Sequence, residues 1–211
     1  MPDLYDTQKE YYRSIYGSGQ KAPWEDFFDG DWLKERLAEC PPAKGMRALE
    51  IGAGMGRGAR ILAKAGYQCA AIDYLHGPLR QANAVKSGRR PVYINGDFLF
   101  PPFRKGFFNL ALDWGVFHHI RRKDTRLYLD AVRWALEDGG KLLLGCFSTK
   151  FRHEGEEKRK RNFTLHKGHY DRYSTRRELK LIFSPHFRIR SMEERKEGYY
   201  LLDMDLKAGS K

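Results

Sequence analysis

The stretch "ALEIGAGMGRGARIL", Ala48 to Leu62, sets four glycines, Gly52, Gly54, Gly56 and Gly58, at alternate positions directly after an apolar run. A short apolar run, a glycine cluster and then a helical pattern describe a strand that turns sharply into a helix. Glycines at such a turn let the backbone bend tightly and approach a ligand with no Cβ in the way, and the helix that follows starts with unpaired N–H groups. Glu50 stands two residues ahead of the first glycine, and its charge bears on what that ligand is.

Outward from this turn, strand and helix patterns alternate. Arg47 to Ile51 reads as a strand, Arg57 to Ala65 as a helix closed by Gly66, and Gln68 to Ile72 as a strand ending in Asp73. His76 to Lys86 reads as a helix, and Pro91 to Ile94 and Phe107 to Leu112 as strands. Thr125 to Leu136 reads as a helix with Gly139 beyond its end, and Lys141 to Phe147 as a fifth strand. Parallel strands need crossover helices, so this alternation predicts a mostly parallel sheet covered on both faces. Two helical segments precede it, Tyr5 to about Gly17 and Trp24 to about Glu39, with Pro41-Pro42 as their stop. After Ser148 the rhythm gives way to a polar, basic stretch reaching about Tyr173. A capping box, Thr175-x-x-Glu178, then opens a helix carrying Leu179, Ile182 and Phe183. Phe187 to Met192 and Tyr199 to Leu206 read as adjacent strands joined by the charged turn "EERKEG".

The chain has 211 residues, 41% hydrophobic and 14% aromatic, a globular composition sized for one domain. "MPDLYDTQKEYYR" lacks the basic start and the apolar segment of about 7 to 15 residues of a signal peptide, and no stretch approaches the roughly 18 apolar residues of a membrane span. The expected location is the cytoplasm, without a membrane partner. Cys40, Cys69 and Cys146 are far apart and odd in number, which fits reduced thiols better than a disulfide framework or a zinc site, and no metal is expected. The formal charge of +12 concentrates in Arg121-Arg122-Lys123, Lys158-Arg159-Lys160-Arg161 and Arg176-Arg177. Such clusters can meet phosphates, although they lack the interleaved aromatics of a nucleic-acid reader.

In a parallel sheet, ligands bind beyond the carboxyl ends of the strands, where the glycine turn lies. Gly54-Met-Gly56-Arg-Gly58-Ala59 satisfies the alanine variant of the dinucleotide fingerprint, and the register Glu50-x-Gly52-x-Gly54-x-Gly56 is the alternative. A carboxylate ahead of the glycines is poorly placed beside a pyrophosphate and well placed beside a ligand carrying positive charge. In this register the sequence resembles the class I S-adenosylmethionine-dependent methyltransferases. The resemblance covers Arg47 to about Phe147 well and extends loosely to the final strands.

The resemblance implies an α/β fold: a doubly wound, mostly parallel seven-stranded sheet with an antiparallel final strand and helices on both faces. It implies S-adenosylmethionine as cofactor, with S-adenosylhomocysteine as product, and assigns cofactor contacts. Glu50, Gly52, Gly54 and Gly56 form the first motif, and Asp73, followed by Tyr74, matches the ribose-binding acid. "INGDF", Ile94 to Phe98, looks like the adenine motif, with Asp97 accepting from the amino group and Phe98 packing on the ring. In "FFNLALDWGVFHHI", Asp113 and Trp114 lie by the methionine part. The expected organisation is a single domain over 1–211, with a helical lid at 1–45, a cofactor-binding core at 46–147, a basic acceptor-side insertion at 148–173, and a final helix with paired strands at 174–211.

The acceptor pocket is expected between the lid and the insertion. His118 and His119 are candidate general bases, since an imidazole with a pKa near ~6.5 can take a proton from a hydroxyl or amine. Trp24, His169 and Tyr170 are candidate acceptor contacts, and Tyr11, Tyr12 and Tyr16 candidate lid residues. No acidic ligand set lies near the clustered histidines at a recognisable spacing, and no N/D-P-P-Y/F sequence follows the fourth strand. The reading is therefore methyl transfer to a small-molecule O, N or S nucleophile. The alternatives are an RNA methyltransferase using the basic surface and a non-catalytic module that binds the cofactor. A nicotinamide oxidoreductase ranks below them because of the acids at Glu50 and Asp97.

Overall fold

The computed structural model describes residues 4–18, 27–86, 88–153, 159, 161–166 and 168–209. Trp24, Lys158 and Lys160 therefore lie outside the described residues. Two helices, α1 (Leu4–Gly17) and α2 (Gly30–Glu39), precede an alternating series: β1 (Arg47–Ile51), α3 (Arg57–Ala65), β2 (Gln68–Asp73), α4 (His76–Ala84), β3 (Val92–Asn95), β4 (Phe108–Trp114), α5 (Thr125–Ala135) and β5 (Leu136–Phe147). A two-stranded ribbon follows, β6 (Phe163–His166) and β7 (His169–Arg172), and then α6 (Arg176–Phe183), β8 (Phe187–Glu194) and β9 (Tyr199–Leu206).

Seven strands form one sheet in the order β3-β2-β1-β4-β5-β9-β8. The pairs among β1 to β5 are parallel, and β9 runs antiparallel between β5 and β8. This is the expected α/β architecture. Side chains alternate between two buried cores: Leu142 and Leu144 pack with Leu129, Val132 and Phe183 on one face, while Leu143 packs with Leu33, Leu62 and Trp32 on the other. Burial on both faces explains why the strands read as continuous apolar runs. Chain direction reverses its walk across the sheet between β1 and β4, where Ile51 pairs with both Ile72 and Asp113. The carboxyl ends of β1, β2 and β4 thus open at the switch point where such sheets bind ligands.

Several boundaries differ from the sequence reading. Helix α2 starts only at Gly30, because Asp29 caps it by accepting from the Trp32 N–H at 2.9 Å, which leaves Phe27 and Phe28 outside the helix. Helix α5 ends at Ala135 and β5 begins at once, so Gly139, at φ 75°, bends a strand and caps no helix. The ribbon β6–β7 differs from the sequence reading, which has only a polar, basic stretch there: its strands are four residues long, and β7 carries Asp171 and Arg172. The capping box holds, with Thr175 and Glu178 exchanging both of its bonds. Among the described residues, no helix is long and apolar enough to cross a membrane.

Candidate active site

The turn after β1 is shaped by what crowds it. Gly54 has φ 48°, and a Cβ there would lie 2.5 Å from the Tyr16 hydroxyl of α1, so the loop and the lid touch through a missing side chain. Gly58 is helical, yet a Cβ on it would fall 2.3 Å from Oε1 of Glu50. That close approach is what Glu50 needs: its two carboxylate oxygens accept from the N–H groups of Gly58 at 3.0 Å and Ala59 at 2.8 Å, in the first turn of α3. Burial raises the Glu50 pKa to about 8, against the opposing pull of those N–H groups and of Arg60. A buried carboxyl wanting a positive neighbour therefore stands beside the glycine loop.

Asp73 ends β2 and binds the same loop. Its Oδ2 accepts from the Gly54 N–H and its Oδ1 from the Leu75 N–H, both at 2.8 Å. Burial raises its pKa. Each oxygen keeps a second lone pair, the acceptor capacity that a pair of ribose hydroxyls requires.

A cavity of about 270 Å³ joins this loop to the lid. Glu50, Gly52, Gly54, Asp73, Tyr74, Asp97, Phe98 and Trp114 line it, as do His118, His119 and His169. Trp114 packs edge-on against Phe28 at 5.1 Å and tilts against Trp32 at 5.9 Å, fixing α2 to the sheet while bordering the cavity. The lid tyrosines Tyr11, Tyr12 and Tyr16 line it too, together with Phe147, Phe151 and His153, which the sequence reading did not single out.

Three expected contacts are not brought to the cavity wall. Gly56 caps α3 behind the loop, where a Cβ would meet the Tyr93 ring within 2.9 Å. Asp113 is fully buried and spent on structure: it accepts from the Tyr128 hydroxyl at 2.5 Å, from the Val116 N–H at 2.7 Å and from the Phe117 N–H at 3.1 Å. Burial raises its pKa to about 6 against those donors. It holds the turn that presents Val116 and His118, and so acts on the site through them. Tyr170 is turned away because side chains alternate along β7: His169 and Asp171 share one face, and Tyr170 shares the other with Arg172. The Tyr170 ring stacks on Phe163, with centroids 5.6 Å apart.

The two histidines after β4 have different surroundings. His118 is buried against Phe147, ring centroids 3.7 Å apart, and its Nδ1 meets no hydrogen-bond partner among the described residues. Burial, with His119 adding to it, holds its pKa well below the usual imidazole range. His119 instead faces Asp171, with Nδ1 2.9 Å from Oδ1. His153 reaches the other oxygen, Oδ2, at 2.8 Å, and His169 bonds the Tyr12 hydroxyl at 2.8 Å. Burial pushes the Asp171 pKa up, but the adjoining imidazoles of His119 and His153 outweigh it and hold the carboxyl well below its usual range. The missing acidic neighbour was the ground for expecting no metal. The fold supplies that neighbour from β7, beyond the reach of any spacing rule.

Helix α1 closes over this cluster. Gln8 donates to the His119 carbonyl at 3.4 Å and accepts from the Tyr170 N–H at 3.3 Å, and Tyr11 stacks on the His169 ring at 4.6 Å. The cavity thus has one wall rich in backbone N–H groups and carboxylates and another of imidazoles and aromatic rings.

Comparison with known proteins agrees with this geometry. A methyltransferase domain family matches residues 49–144. An uncharacterised methyltransferase of Geobacillus kaustophilus (strain HTA426) is 31% identical over 192 residues, covering 87% of this chain and 86% of that protein. The chain belongs to the class I S-adenosylmethionine-dependent methyltransferases. Among solved structures, the Burkholderia thailandensis 1,6-didemethyltoxoflavin-N1-methyltransferase, with 1,6-didemethyltoxoflavin and S-adenosylhomocysteine bound, superimposes with a TM-score of 0.72 at 18% identity, over 98% of this chain and 92% of its own. The complex of DhpI with S-adenosylhomocysteine gives a TM-score of 0.74 at 18% identity, over 97% and 98%. These two likenesses are of fold.

Proposed function

We propose that this enzyme methylates a small-molecule O, N or S nucleophile, with S-adenosylmethionine held along the glycine loop and the acceptor held under α1. The observation that carries the reading is the continuous cavity from Glu50 and Asp73 to His119 and His169. The residues fit the cofactor: Glu50 is a buried acid in want of a positive group, Asp73 keeps lone pairs for hydroxyls, and Asp97 and Phe98 stand beyond them for a base. S-adenosylmethionine supplies an activated methyl group on a sulfonium, and what remains for the protein is orientation and exclusion of water. Tyr11, Tyr12 and Tyr16 of α1 do this by roofing the cavity. Of the two candidate bases, His119 is the one whose ring stands beside a carboxylate, with Nδ1 2.9 Å from Asp171 Oδ1, whereas His118 is stacked on Phe147 and has no partner for its Nδ1 among the described residues.

The whole chain is read as one working domain, with 1–45 as lid and 148–173 as the acceptor-side insertion. The described thiols are unpaired, as in a reducing compartment, which supports a cytoplasmic enzyme. Trp24 remains an acceptor contact in this reading on the strength of its sequence alone.

Calorimetric titration with S-adenosylhomocysteine and NAD tests the cofactor side: binding of the first and not the second is expected, and the reverse would refute the glycine-loop register. On the acceptor side, His119→Gln is expected to lower turnover by ~10²-fold or more with cofactor affinity nearly unchanged. Wild-type turnover in that variant would remove His119 from the chemistry.

A further inference from the structure

The ribbon β6–β7 brings to the cavity a set of donors that proton transfer alone does not explain. His119 Nδ1, His169 Nε2 and Asp171 Oδ1 form a triangle with sides of 2.9, 3.2 and 3.3 Å. Ligand atoms at about 2.0 to 2.1 Å from one divalent ion stand about 2.9 to 3.4 Å apart, for right-angled to tetrahedral geometry. His118 is close enough to join: its ligand atom and those of His119 and Asp171 all lie within 4.8 Å of one another.

A second observation shows that hydrogen bonds do not account for the triangle. Asp171 Oδ1 is buried and accepts no well-angled hydrogen bond from a described residue, although two imidazole nitrogens stand at 2.9 and 3.3 Å. His169 Nε2 is already paired with the Tyr12 hydroxyl, and His119 Nδ1 also lies 3.2 Å from the Tyr170 carbonyl. Each imidazole nitrogen carries one proton or one lone pair, so these contacts cannot all be filled by protons at once. A buried carboxylate oxygen beside two nitrogens that do not donate to it squarely is a place for a cation.

We propose that His119, His169 and Asp171 bind one divalent first-row transition ion of the zinc type at the acceptor end of the cavity. Two imidazoles and a carboxylate suit such an ion, whereas magnesium takes oxygen ligands. The surroundings resemble those of a bound metal. His153 holds the second oxygen of Asp171 and fixes its orientation, and the i, i+2 placement of His169 and Asp171 on β7 aims both donors to one side. With three protein ligands the ion keeps a position open toward the cavity, which His118, His119, His153 and His169 line. A hydroxyl or acidic N–H of the acceptor fits that position. With the ion bound, His119 serves as a ligand in place of a general base, so the acceptor's proton passes to solvent on coordination and its lone pair is left facing the cofactor side. This rests on the methyltransferase reading for its purpose, and not for the binding itself.

The test uses tag-free, full-length protein stripped with a chelator. Zn(II) calorimetry is expected to show one equivalent bound at micromolar affinity or tighter, and Co(II) is expected to give the visible bands of a nitrogen- and oxygen-ligated site. Asp171→Asn and His169→Gln are each expected to weaken Zn(II) binding by at least about a hundredfold, beyond the ~10- to 100-fold typical of groups that only support a ligand. S-adenosylhomocysteine affinity, measured on the same samples, reports folding and the methyltransferase reading separately. If the wild-type protein binds S-adenosylhomocysteine but takes up no stoichiometric Zn(II), or if both folded variants bind Zn(II) as tightly as wild type, the metal site is refuted and the cofactor site stands. Full turnover by the stripped protein, with no gain on adding Zn(II), would equally overturn a role for the ion.

Discussion

Glu50 and Asp73 both mix a binding task with a structural one, and pH separates them for Glu50. The native carboxyl titrates at about 8 and the unfolded one near its ordinary value of 4.5. Between those values the folded protein holds the extra proton, so this group's contribution is complete below about pH 4.5 and is lost as pH rises toward 8. The ligand-free protein is therefore expected to lose stability across that window in denaturant titrations, and Glu50→Gln to flatten the loss. A cation in the cavity favours the carboxylate. Cofactor binding at pH 7 should then release protons, seen as binding heats that differ between phosphate and Tris buffers, and affinity should rise with pH up to about 8. Equal heats in both buffers would place the positive end of the cofactor elsewhere. For Asp73, charge-assisted bonds to ribose are worth ~1.5 to 3 kcal/mol, so Asp73→Ala is expected to weaken S-adenosylhomocysteine by roughly ten- to a hundredfold. Asp73→Asn keeps one acceptor for Gly54 or Leu75 and should lose less. Unchanged affinity in the alanine variant would leave Asp73 as a loop anchor only.

Among elements, α3 shows how tightly the site is seated on the fold. Alanine is a better helix former than glycine by about 1 kcal/mol, which alone predicts that Gly58→Ala stabilises. The new Cβ would fall 2.3 Å from Glu50 Oε1 and 2.5 Å from Leu112 Cδ2, both in the buried floor. Overpacking of this kind costs about 1 to 3 kcal/mol, so net destabilisation and weaker cofactor binding are expected from thermal unfolding and calorimetry. A more stable variant would mean that α3 can slide off Glu50. This floor was legible in the sequence because everything in it is local: an apolar run, a glycine turn and a helix within fifteen residues of one another, Ala48 to Leu62. Asp73 and Asp97 were legible for the same reason, each at the end of a recognisable strand. The acceptor wall was not. Its ribbon has four-residue strands among charges, and only the pairing of Thr164 with Asp171 and of Leu165 with Tyr170 reveals which side chains share a face. Without that register the sequence offers Tyr170 as a contact and gives no reason to choose Asp171. Asp113 misled in the opposite way: a carboxylate at a strand end suggests a ligand, and only the fold shows Tyr128 and the turn at Val116 using it up.

For the molecule as a whole, the charge of +12 makes RNA the competing acceptor, and the placement of the charge decides how strongly it competes. Two of the clustered arginines are already engaged: Arg121 pairs with Asp124 at 2.7 Å, and Arg122 with Glu178 at 2.7 Å. Arg176 and Arg177 border a shallow surface patch with Lys180 and are not among the residues lining the cavity. A phosphate track serving the chemistry would have to run from such a patch into a cavity roofed by α1, whose Tyr12 and Gln8 bond to β7 and to the segment after β4. Generic RNA is thus expected to bind weakly, through counterion release at the surface, and without being methylated. In a filter or anisotropy assay, affinity should fall with a slope reflecting only a few phosphates, about −0.7 for each on single strands, and vanish near physiological salt. Saturating S-adenosylhomocysteine should leave that binding unchanged, since the two sites are separate. Tight binding near 150 mM salt, a slope of several phosphates and methyl incorporation into RNA would together reassign the acceptor to nucleic acid. The histidine wall would then face a ribose or a base in place of a free small molecule.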